Sequence, residues 1–454
     1  MPTFDLILRN GHVVLDDEVR QADVAIEGGR FAEIGNVTGG ARETVDAAGL
    51  HVFPGLIDPH VHFNEPGRTD WEGIATGSAA LAAGGGTCFF DMPLNSNPPV
   101  LSGAEFDAKR TIAETSSVTD FALWGGLTPD NLARLDELAE RGVIGFKAFM
   151  SNSGIAEFNN VDDWTLYRGM QIAAKHGLVV AVHAENDVLA AGFTRAAIDA
   201  GKTSMADYLQ SRPGVVEIDA VQRALAIAQA AGCKVHIVHV STWQAAALVK
   251  TSRFRFQNAG LALGADASCE TCPHYLLLNA DDAIAIGPAA KCSPPIRSEA
   301  DRLELLHCLM APQPYFDFVG SDHSPSPASM KRSPDAFKNW GGIAGVQSTL
   351  SALLTLDVGE VTVGKLTAKH VARRFGLKSK GEIAPGMDAD FSLVNVRESF
   401  TLERRELLDR HKLSPYVGRS FRGRIVRTVV RGTTIFETGK IVSPPIGQLV
   451  RPAV

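Results

Sequence analysis

Hydrophobic and polar positions follow one pattern at the two ends of the chain and another in between. Within the first fifty residues, LILRNGHVVL and ADVAIEGGRFAEIG alternate like half-buried strands, with Glu27-Gly28-Gly29 as a hairpin turn. Within the last seventy, DADFSLVNV and GRIVRTVVRGTTIFETGKIV have the same character. Between the ends, short apolar segments recur with Ala-rich amphipathic stretches between them. The pattern predicts β-structure at both ends and repeated βα units in the middle.

The middle of the chain contains eight candidate strands, the number that a closed (β/α)8 barrel requires. They are, in order, HVFPGLIDPHVHF, GGTCFFDM, VTDFALWGG, VIGFKAFM, LVVAVHAE, KVHIVHVS, GADASCET and YFDFVGSD. An open doubly wound sheet is the alternative, but no G-x-G-x-x-G follows the first strand. We therefore predict an α/β protein with a TIM-like barrel at about residues 54–380. Its first helix is expected to begin at a capping box formed by Thr69 and Glu72.

Composition narrows the functional classes. The chain has 454 residues, of which 21% are charged and 45% hydrophobic, and its net charge is −7. Without a long Lys/Arg block, neither nucleic acid nor an anionic membrane is an expected partner, whereas a small neutral or weakly anionic substrate is. No apolar run approaches the roughly 20 residues of a membrane helix, and MPTFDLILRN does not resemble a secretory signal. Six cysteines do not suggest a disulfide framework, so we expect reduced thiols in a cytoplasmic enzyme.

Polar residues interrupt these strands near their carboxyl ends. In a strand, His60 and His62 point to the same face, so both can approach one point in front of it. In a barrel, the carboxyl ends of all strands meet on one face, where the active site lies. Six groups of the kind that bind metals would therefore converge there: His60, His62, Lys147, His183, His239 and Asp322.

This set of residues indicates a metal centre. Four neutral imidazoles and one carboxylate suit Zn²⁺ or a similar first-row ion, and they are too rich in histidine for Mg²⁺ or Ca²⁺. A lysine ammonium beside a dication, flanked by Phe146 and Phe149, has a lowered pKa, so Lys147 is expected to be a neutral amine. A neutral amine can add carbon dioxide, and the resulting carbamate would be a bridging anionic ligand. We therefore expect two divalent ions.

Other polar residues near the strands have simpler interpretations. A single histidine in a strand is more often a hydrogen-bonded core residue, and His236, deeper in strand six than His239, is interpreted as structural. The stretch CETCPH could suggest a zinc knuckle, but a second pair of ligands is missing, so packing near strand seven is favoured. His323, next to Asp322, is expected to support the site rather than to bind a metal.

Longer motifs occur in order along the chain: HFNEPGRTDWEG, DMPLNSNPP, ETCPHY, AKCSPPIR, SDHSP, WGGIAGVQS and HKLSPYVGRS. With these and the six ligand-type residues, the chain resembles the cyclic amidohydrolases of the amidohydrolase superfamily over essentially its whole length. The resemblance implies a binuclear metal centre, usually of zinc, bridged by carbamylated Lys147. It also implies that residues 1–53 and 381–454 join into one small β-sandwich beside the barrel, and that the protein is a homotetramer.

The reasoning from the residues and the resemblance lead to the same chemistry. Two cations that share a water lower its pKa enough to supply hydroxide near neutral pH, and one of them can polarise the carbonyl under attack. Asp322, at the site but needed by only one metal, is placed to take the hydroxide proton and pass it to the leaving amide nitrogen. Ring opening of a cyclic amide follows.

Two departures from related enzymes bear on the substrate. Dihydroorotases typically carry, two residues after the second metal histidine, an arginine that pairs with the substrate carboxylate, and this sequence has Asn64 there. Hydantoinases and dihydropyrimidinases typically carry a tyrosine five residues after the lysine, and this sequence has Asn152 there. The resemblance therefore favours allantoin, a hydantoin without a carboxylate, which would be opened to allantoate.

Several alternatives stay open at this point. Asn152 and Ser293 are the expected substrate contacts, although Ser293 could equally be a turn residue before Pro294-Pro295. A hydantoinase or dihydropyrimidinase of similar mechanism is the alternative activity. A non-catalytic scaffold, as found among relatives that have lost their metals, is disfavoured because all six ligand-type residues are present.

Overall fold

The computed structural model describes residues 3–258 and 266–453, whose strands form three sheets. The strands are β1 Thr3–Val14, β2 Val19–Glu27, β3 Arg30–Gly35, β4 Gly40–Asp46, β5 His51–Pro54, β6 Leu56–Val61, β7 Gly86–Asp91, β8 Asp120–Leu123, β9 Gly125–Gly126, β10 Gly145–Phe149, β11 Val179–His183, β12 Lys234–Ile237, β13 Ala267–Thr271, β14 Phe318–Val319, β15 Phe391–Thr401, β16 Ser420–Val430, β17 Thr433–Glu437 and β18 Lys440–Ile441.

Helices occupy most of the connections between the central strands. They are α1 Ile74–Ala83, α2 Gly103–Ser116, α3 Leu135–Arg141, α4 Asp163–Lys175, α5 Asp187–Asp199, α6 Met205–Gln210, α7 Gly214–Ala231, α8 Trp243–Asn258, α9 Pro273–Leu277, α10 Ala280–Ile286, α11 Glu299–Met310, α12 Thr349–Thr355, α13 Glu360–Gly364 and α14 His370–Arg374. In the described part of the chain, every helix is too short or too polar to span a lipid bilayer.

A single nine-stranded sheet contains strands from both ends of the chain. Its order is β18-β17-β16-β15-β5-β1-β2-β3, and β4 pairs with β1. Strand β5 lies parallel to β1 and antiparallel to β15, so it joins the N-terminal and C-terminal strands. The prediction of β-structure at both ends is confirmed.

The central strands form two sheets with parallel pairing throughout. One has the order β6-β7-β8 and the other β14-β13-β12-β11-β10-β9. Trp124 alone separates β8 from β9, so the two sheets share one predicted strand, VTDFALWGG. At the other end, Val61 pairs in parallel with His323, and the N–H of His62 donates to the carbonyl of His323 at 2.8 Å. Each of the eight predicted segments contains a strand of the structure, although residues 264–265 of the seventh lie outside the described residues.

The first predicted strand, HVFPGLIDPHVHF, is divided between two sheets. Residues 51–54 belong to the nine-stranded sheet and residues 56–61 to a parallel sheet. The chain crosses over at Gly55, whose N–H donates to the carbonyl of Asp390. A side chain could not be added at Gly55, because its Cβ would lie 2.2 Å from the hydroxyl of Thr87.

The predicted capping box of the first helix is wrong. Helix α1 begins at Ile74, and the N–H of Ile74 donates to Glu65 Oε2 at 2.9 Å. Glu72 instead accepts a hydrogen bond from the N–H of Arg410 at 3.1 Å. Glu65, in the turn before the helix, therefore accepts the hydrogen bond of a free N–H at the start of α1. Glu72 instead connects to the C-terminal part of the chain through Arg410.

An apolar layer packs against the parallel strands. The ring of Phe375 lies 5.1 Å from that of Phe90, 5.4 Å from that of Trp124 and 5.9 Å from that of Phe318. All four side chains are at most 2% exposed. Phe90 belongs to β7 and Phe318 to β14, Trp124 lies between β8 and β9, and Phe375 follows α14. The layer therefore packs these strands together.

A buried charge cluster links the nine-stranded sheet to the parallel strands. Lys380 Nζ lies 2.7 Å from Asp120 Oδ2, 2.6 Å from Asp390 Oδ2 and 3.3 Å from Asp388 Oδ2. Its side chain is 3% exposed, and Arg431 also pairs with Asp120. The nearby carboxylates of Asp390 and Asp120 outweigh burial and raise the pKa of Lys380. The lysine is therefore charged and neutralises several carboxylates.

Replacing Lys380 by methionine is expected to lower the free energy of unfolding by about 3–5 kcal/mol, because buried carboxylates lose their partner. Chemical denaturation monitored by circular dichroism measures the change. Lys440→Met, at an exposed lysine of β18, is the control and should leave stability unchanged. A loss below about 1 kcal/mol in Lys380→Met would show that the cluster contributes little.

Candidate metal centre

Parallel pairing places all six ligand-type residues near the carboxyl ends of their strands. His60 is in β6, Lys147 is in β10 and His183 ends β11. The others follow closely: His62 comes after β6, His239 after β12 and Asp322 after β14. His239 and Asp322 have φ angles of 40° and 45°, a left-handed conformation that costs energy for residues other than glycine. Such strain is typical of residues whose side chains must reach a functional site.

Three of these side chains form a group that could hold a metal ion. Potential ligand atoms of His60, His62 and Asp322 all lie within 4.8 Å of one another, and the three residues are buried. His60 Nε2 is 3.2 Å from Asp322 Oδ1, and His62 Nε2 is 3.5 Å from the same oxygen. Two imidazole nitrogens and a carboxylate oxygen are a common ligand set for Zn²⁺ and related ions.

Two further histidines face each other beside this group. His183 Nδ1 lies 2.9 Å from His239 Nε2, and the ring centroids of His239 and His60 are 5.3 Å apart. The ring of His183 stacks on Phe149 with a centroid distance of 4.5 Å. Burial lowers the pKa of both His183 and His239, which favours the neutral imidazoles that metal ions bind.

The amine of Lys147 has no hydrogen-bond partner among the residues that the structure describes. Its side chain is fully buried, and within the described ranges Nζ has no hydrogen-bond partner. The nitrogen lies 5.0 Å from the centroid of the Phe149 ring. Burial lowers the pKa of Lys147 to about 7, against the opposing effects of Asp322 and Glu270. An orphaned, partly neutral amine at this point fits a lysine that acts as a ligand after modification.

Asp322 is held in its ionised form. Burial alone would raise the pKa of its carboxyl, but His60 and His62 outweigh burial and lower it. An ionised carboxylate carries no proton, so Asp322 is in the form that can bind a cation or accept a proton.

Five of the six ligand-type residues line a cavity of about 790 Å³: His60, His62, His183, His239 and Asp322. Asn152 and Ser293 line the same cavity. Ser293 Oγ lies 2.8 Å from the hydroxyl of Tyr208, whereas Asn152 Oδ1 accepts a hydrogen bond from the N–H of Gly154. The cavity has the volume of a small-molecule site.

Two carboxylates that orient the histidines are not evident from the sequence pattern. Glu270 Oε1 lies 2.5 Å from His60 Nδ1, and Glu185 Oε2 lies 2.9 Å from His183 Nε2. Arg212 Nη1 donates to Glu185 at 2.6 Å. Arg212, working against burial, lowers the pKa of Glu185 to about 2, and the neighbouring histidines do the same for Glu270. Both glutamates lie near the carboxyl end of an apolar strand, which could have marked them as residues close to the site but not as partners of these histidines.

Glu270→Gln is expected to weaken metal affinity about 10–100-fold, because a neutral amide no longer fixes the orientation of His60. Titrating metal into the apoprotein while activity is followed measures the metal affinity. Excess metal should restore most of the rate of the variant. Glu299→Gln, at an exposed glutamate of α11, serves as the control. Unchanged metal affinity in Glu270→Gln would contradict an orienting role.

The remaining polar residues near the strands lie away from the ligand group. His236 Nδ1 is 2.9 Å from Ser268 Oγ, and its Nε2 is 3.3 Å from Glu270. His323 Nδ1 accepts a hydrogen bond from the N–H of Gly345. Cys269 and Cys272 are buried free thiols, and the one potential metal-binding group among the described residues is that of His60, His62 and Asp322.

The sequence profile of the Amidohydrolase family matches residues 51–435, which include every strand and side chain of this site. The chain belongs to the amidohydrolase family.

Amidohydrolase relatives match the chain over nearly its full length. An allantoinase of Rubrobacter xylanophilus is 50% identical, covering 100% of this chain and 98% of its own. An allantoinase of Escherichia coli is 40% identical over 99% of both chains. Among solved structures, the L-hydantoinase (dihydropyrimidinase) of Arthrobacter aurescens superposes with a TM-score of 0.94 at 31% identity, covering 99% of this chain and 100% of its own. The protein is thus an enzyme of the cyclic amide hydrolase type.

Proposed function

We propose that this amidohydrolase is an allantoinase, which opens the hydantoin ring of allantoin by hydrolysis and releases allantoate. The full-length identity of 40–51% to curated allantoinases carries the proposal. The hydantoinase alternative rests on solved structures of 26–31% identity, so sequence likeness favours the allantoinase activity.

Two divalent metal ions, most consistent with zinc, would be held by His60, His62, Lys147, His183, His239 and Asp322. The close approach of His183 to His239, and of Asp322 to His60, supports this assignment, since nitrogen and carboxylate oxygen atoms that face each other can share a cation. Lys147 would bridge the ions as a carbamate formed with carbon dioxide. Its buried amine without a partner supports that modification.

The metal ions, when bound, would supply Lewis acidity that activates water and polarises the scissile carbonyl. Asp322 would accept the proton of the attacking water as its oxygen adds to the carbonyl carbon. The same carboxyl would then donate that proton to the ring nitrogen as the C–N bond breaks. Glu270 and Glu185 would keep the imidazoles of His60 and His183 in fixed orientations throughout.

Substrate contacts are proposed at two residues of the cavity. Ser293 would bind the ring amide, and its hydroxyl is oriented by Tyr208 at 2.8 Å. Asn152 would lie beside the ring substituent, at a cavity position where hydantoinases typically carry a tyrosine. A shorter, polar residue there leaves room for the ureido arm of allantoin.

We further propose the domain organisation predicted from the sequence. The two parallel sheets would be parts of one closed (β/α)8 barrel at residues 54–380, supported by the Val61–His323 pairing and by Trp124 between β8 and β9. Residues 1–53 and 381–454 would form the small β-sandwich. A homotetramer follows from the family resemblance, and sedimentation velocity tests it. Six free, buried cysteines support a location in the reducing cytoplasm.

A substrate comparison with the metal-loaded enzyme tests the proposed function. Initial rates are measured on allantoin, hydantoin and dihydrouracil at equal concentration, with metal content determined by mass spectrometry. We expect the highest kcat/KM for allantoin and about two metal ions per chain. Two metal ions with faster turnover of hydantoin or dihydrouracil would reject allantoin as the substrate and keep the hydrolytic chemistry.

A further inference from the structure

Two lysines beside the substrate cavity are buried without a carboxylate partner. Lys331 is 9% exposed and Lys291 is 5% exposed. Among the residues that the structure describes, neither ammonium forms an ion pair with a carboxylate, and both donate to backbone carbonyls instead. Burial lowers the pKa of Lys331 to about 7 and that of Lys291 to about 8, as expected for amines removed from water. Burying a lysine in this way is costly, so its contacts must compensate.

Lys331 connects two parts of the chain through three carbonyl groups. Its Nζ donates to the carbonyl oxygens of Trp340 at 3.1 Å and Gly342 at 2.7 Å. It also donates to the carbonyl of Pro288 at 3.0 Å. One side-chain nitrogen therefore connects residues 328–342 to the short 3-10 helix Gly287–Ala290.

Lys291 makes a second connection to the same segment. Its Nζ donates to the carbonyl of Asn339 at 2.5 Å, and its own carbonyl accepts from the N–H of Gly342 at 2.8 Å. The ammonium also lies 4.5 Å from the centroid of the Tyr208 ring. Lys291 is two residues before Ser293, so it joins the segment to the part of the chain that carries the proposed substrate contact.

Residues 328–342, which we call the wall segment, contribute several residues to the lining of the same cavity as the histidines. Phe337, Trp340 and Gly341 are among the residues that face the cavity. The ring of Phe337 packs on that of Tyr208 at 5.7 Å, and the ring of Trp340 packs on that of Trp71 at 4.8 Å. The segment contains two short 3-10 helices, Ala328–Lys331 and Ala336–Lys338. The N–H of Ala336 donates to the carbonyl of Thr203, and the lysine hydrogen bonds add further contacts that hold the segment in position.

We propose that Lys331 and Lys291 are positioning residues that set the shape of the substrate cavity by holding the wall segment against residues 288–293. The inference deepens the proposed function and rests on it, because the wall segment encloses the same cavity. Without these hydrogen bonds the wall segment moves away from the substrate, and substrate binding weakens while the metal centre stays intact.

Kinetics and hydrogen exchange of Lys331→Met and Lys291→Met test the proposal, with Arg332→Met as the matched control at an exposed neighbour. We expect KM to rise about tenfold in Lys331→Met, with kcat within about threefold of wild type, since binding common to ground and transition states is lost. Metal content should not change. Backbone amides of residues 328–342 should exchange faster in both methionine variants, and Arg332→Met should match wild type in every respect.

Each outcome decides the question. The proposal is overturned if a folded Lys331→Met or Lys291→Met protein has the KM and the amide exchange of wild type. It is also overturned if kcat falls while KM is unchanged, because a loss of folded enzyme would produce that result. If neither variant folds, exchange in the wild type decides. The amides of Trp340 and Gly342, which donate to Met330 and Lys291, must then be protected, and rapid exchange there overturns the proposal.

Failure of the proposed function is distinguishable from failure of this inference. If wild-type enzyme does not open allantoin, KM is measured with the cyclic amide that it does open. The exchange experiment needs no substrate, so it reports on the wall segment whatever the activity is.

Discussion

Lys147→Ala is expected to lose its metal ions together with its activity, with kcat/KM falling by at least roughly 10³-fold. The lysine is fully buried at the ends of the parallel strands, and its amine has no hydrogen-bond partner within the described residues, so its role is not structural pairing. If Lys147 is carbamylated as proposed, its removal takes away an anion that would otherwise offset the repulsion between two metal ions. Metal content by mass spectrometry and initial rates on allantoin measure both losses.

A control and a rescue experiment sharpen the interpretation of Lys147→Ala. Lys175→Ala, at the exposed end of α4, should retain its metal ions and its rate. A small carboxylic acid such as acetate should partly restore the rate of Lys147→Ala, because it can fill the vacated space and supply the carboxylate of the carbamate. Full metal content with a normal rate in Lys147→Ala would exclude the lysine as a ligand.

Asp322→Asn is expected to lower kcat about 10³-fold, because an amide cannot accept the proton of water or deliver it to the leaving nitrogen. His60 and His62, against the effect of burial, lower the pKa of this carboxyl, so the wild-type residue is ionised at neutral pH. Single-turnover rates on allantoin measure the effect on the chemical step.

Metal content separates the two roles of Asp322. The amide oxygen of asparagine can still approach His60 and His62, so we expect the variant to retain most of its metal ions. Asp281→Asn, at an exposed aspartate in α10, is the matched control and should behave as wild type. If excess metal restored the full rate of Asp322→Asn, proton transfer would have to be assigned to another group.

The sequence pattern was sufficient to locate the ligand-type residues because each interrupts an apolar strand at the same end. Parallel pairing then brings those ends together whatever the details of the helices. His236 is the contrasting case, because it lies within β12 rather than at its carboxyl end. Its ring nitrogen is close to Ser268 and not to the ligand group. The position of a residue along its own strand depends on local sequence, so it can be predicted from one sequence.

Features that depend on contacts between distant residues could not be predicted in this way. Glu270 and His60 are 210 positions apart, and only the fold brings the carboxylate to His60 Nδ1. The prediction for the start of α1 is wrong for a similar reason. The N–H of Ile74 donates to Glu65, nine residues earlier, and not to the predicted capping pair. Lys331 and Lys291 gave no signal, because a lysine in a polar segment is ordinarily exposed.

The position of β5 in the nine-stranded sheet determines when that sheet can be completed during synthesis. Residues 51–54 pair with residues 391–394, so one edge of β5 has no partner until more than 300 further residues have left the ribosome. The N-terminal strands therefore have an unpaired edge at β5 during the synthesis of the central strands. A chain that terminates before residue 391 retains this open edge permanently and would be prone to edge-to-edge aggregation, even with all six ligand-type residues present.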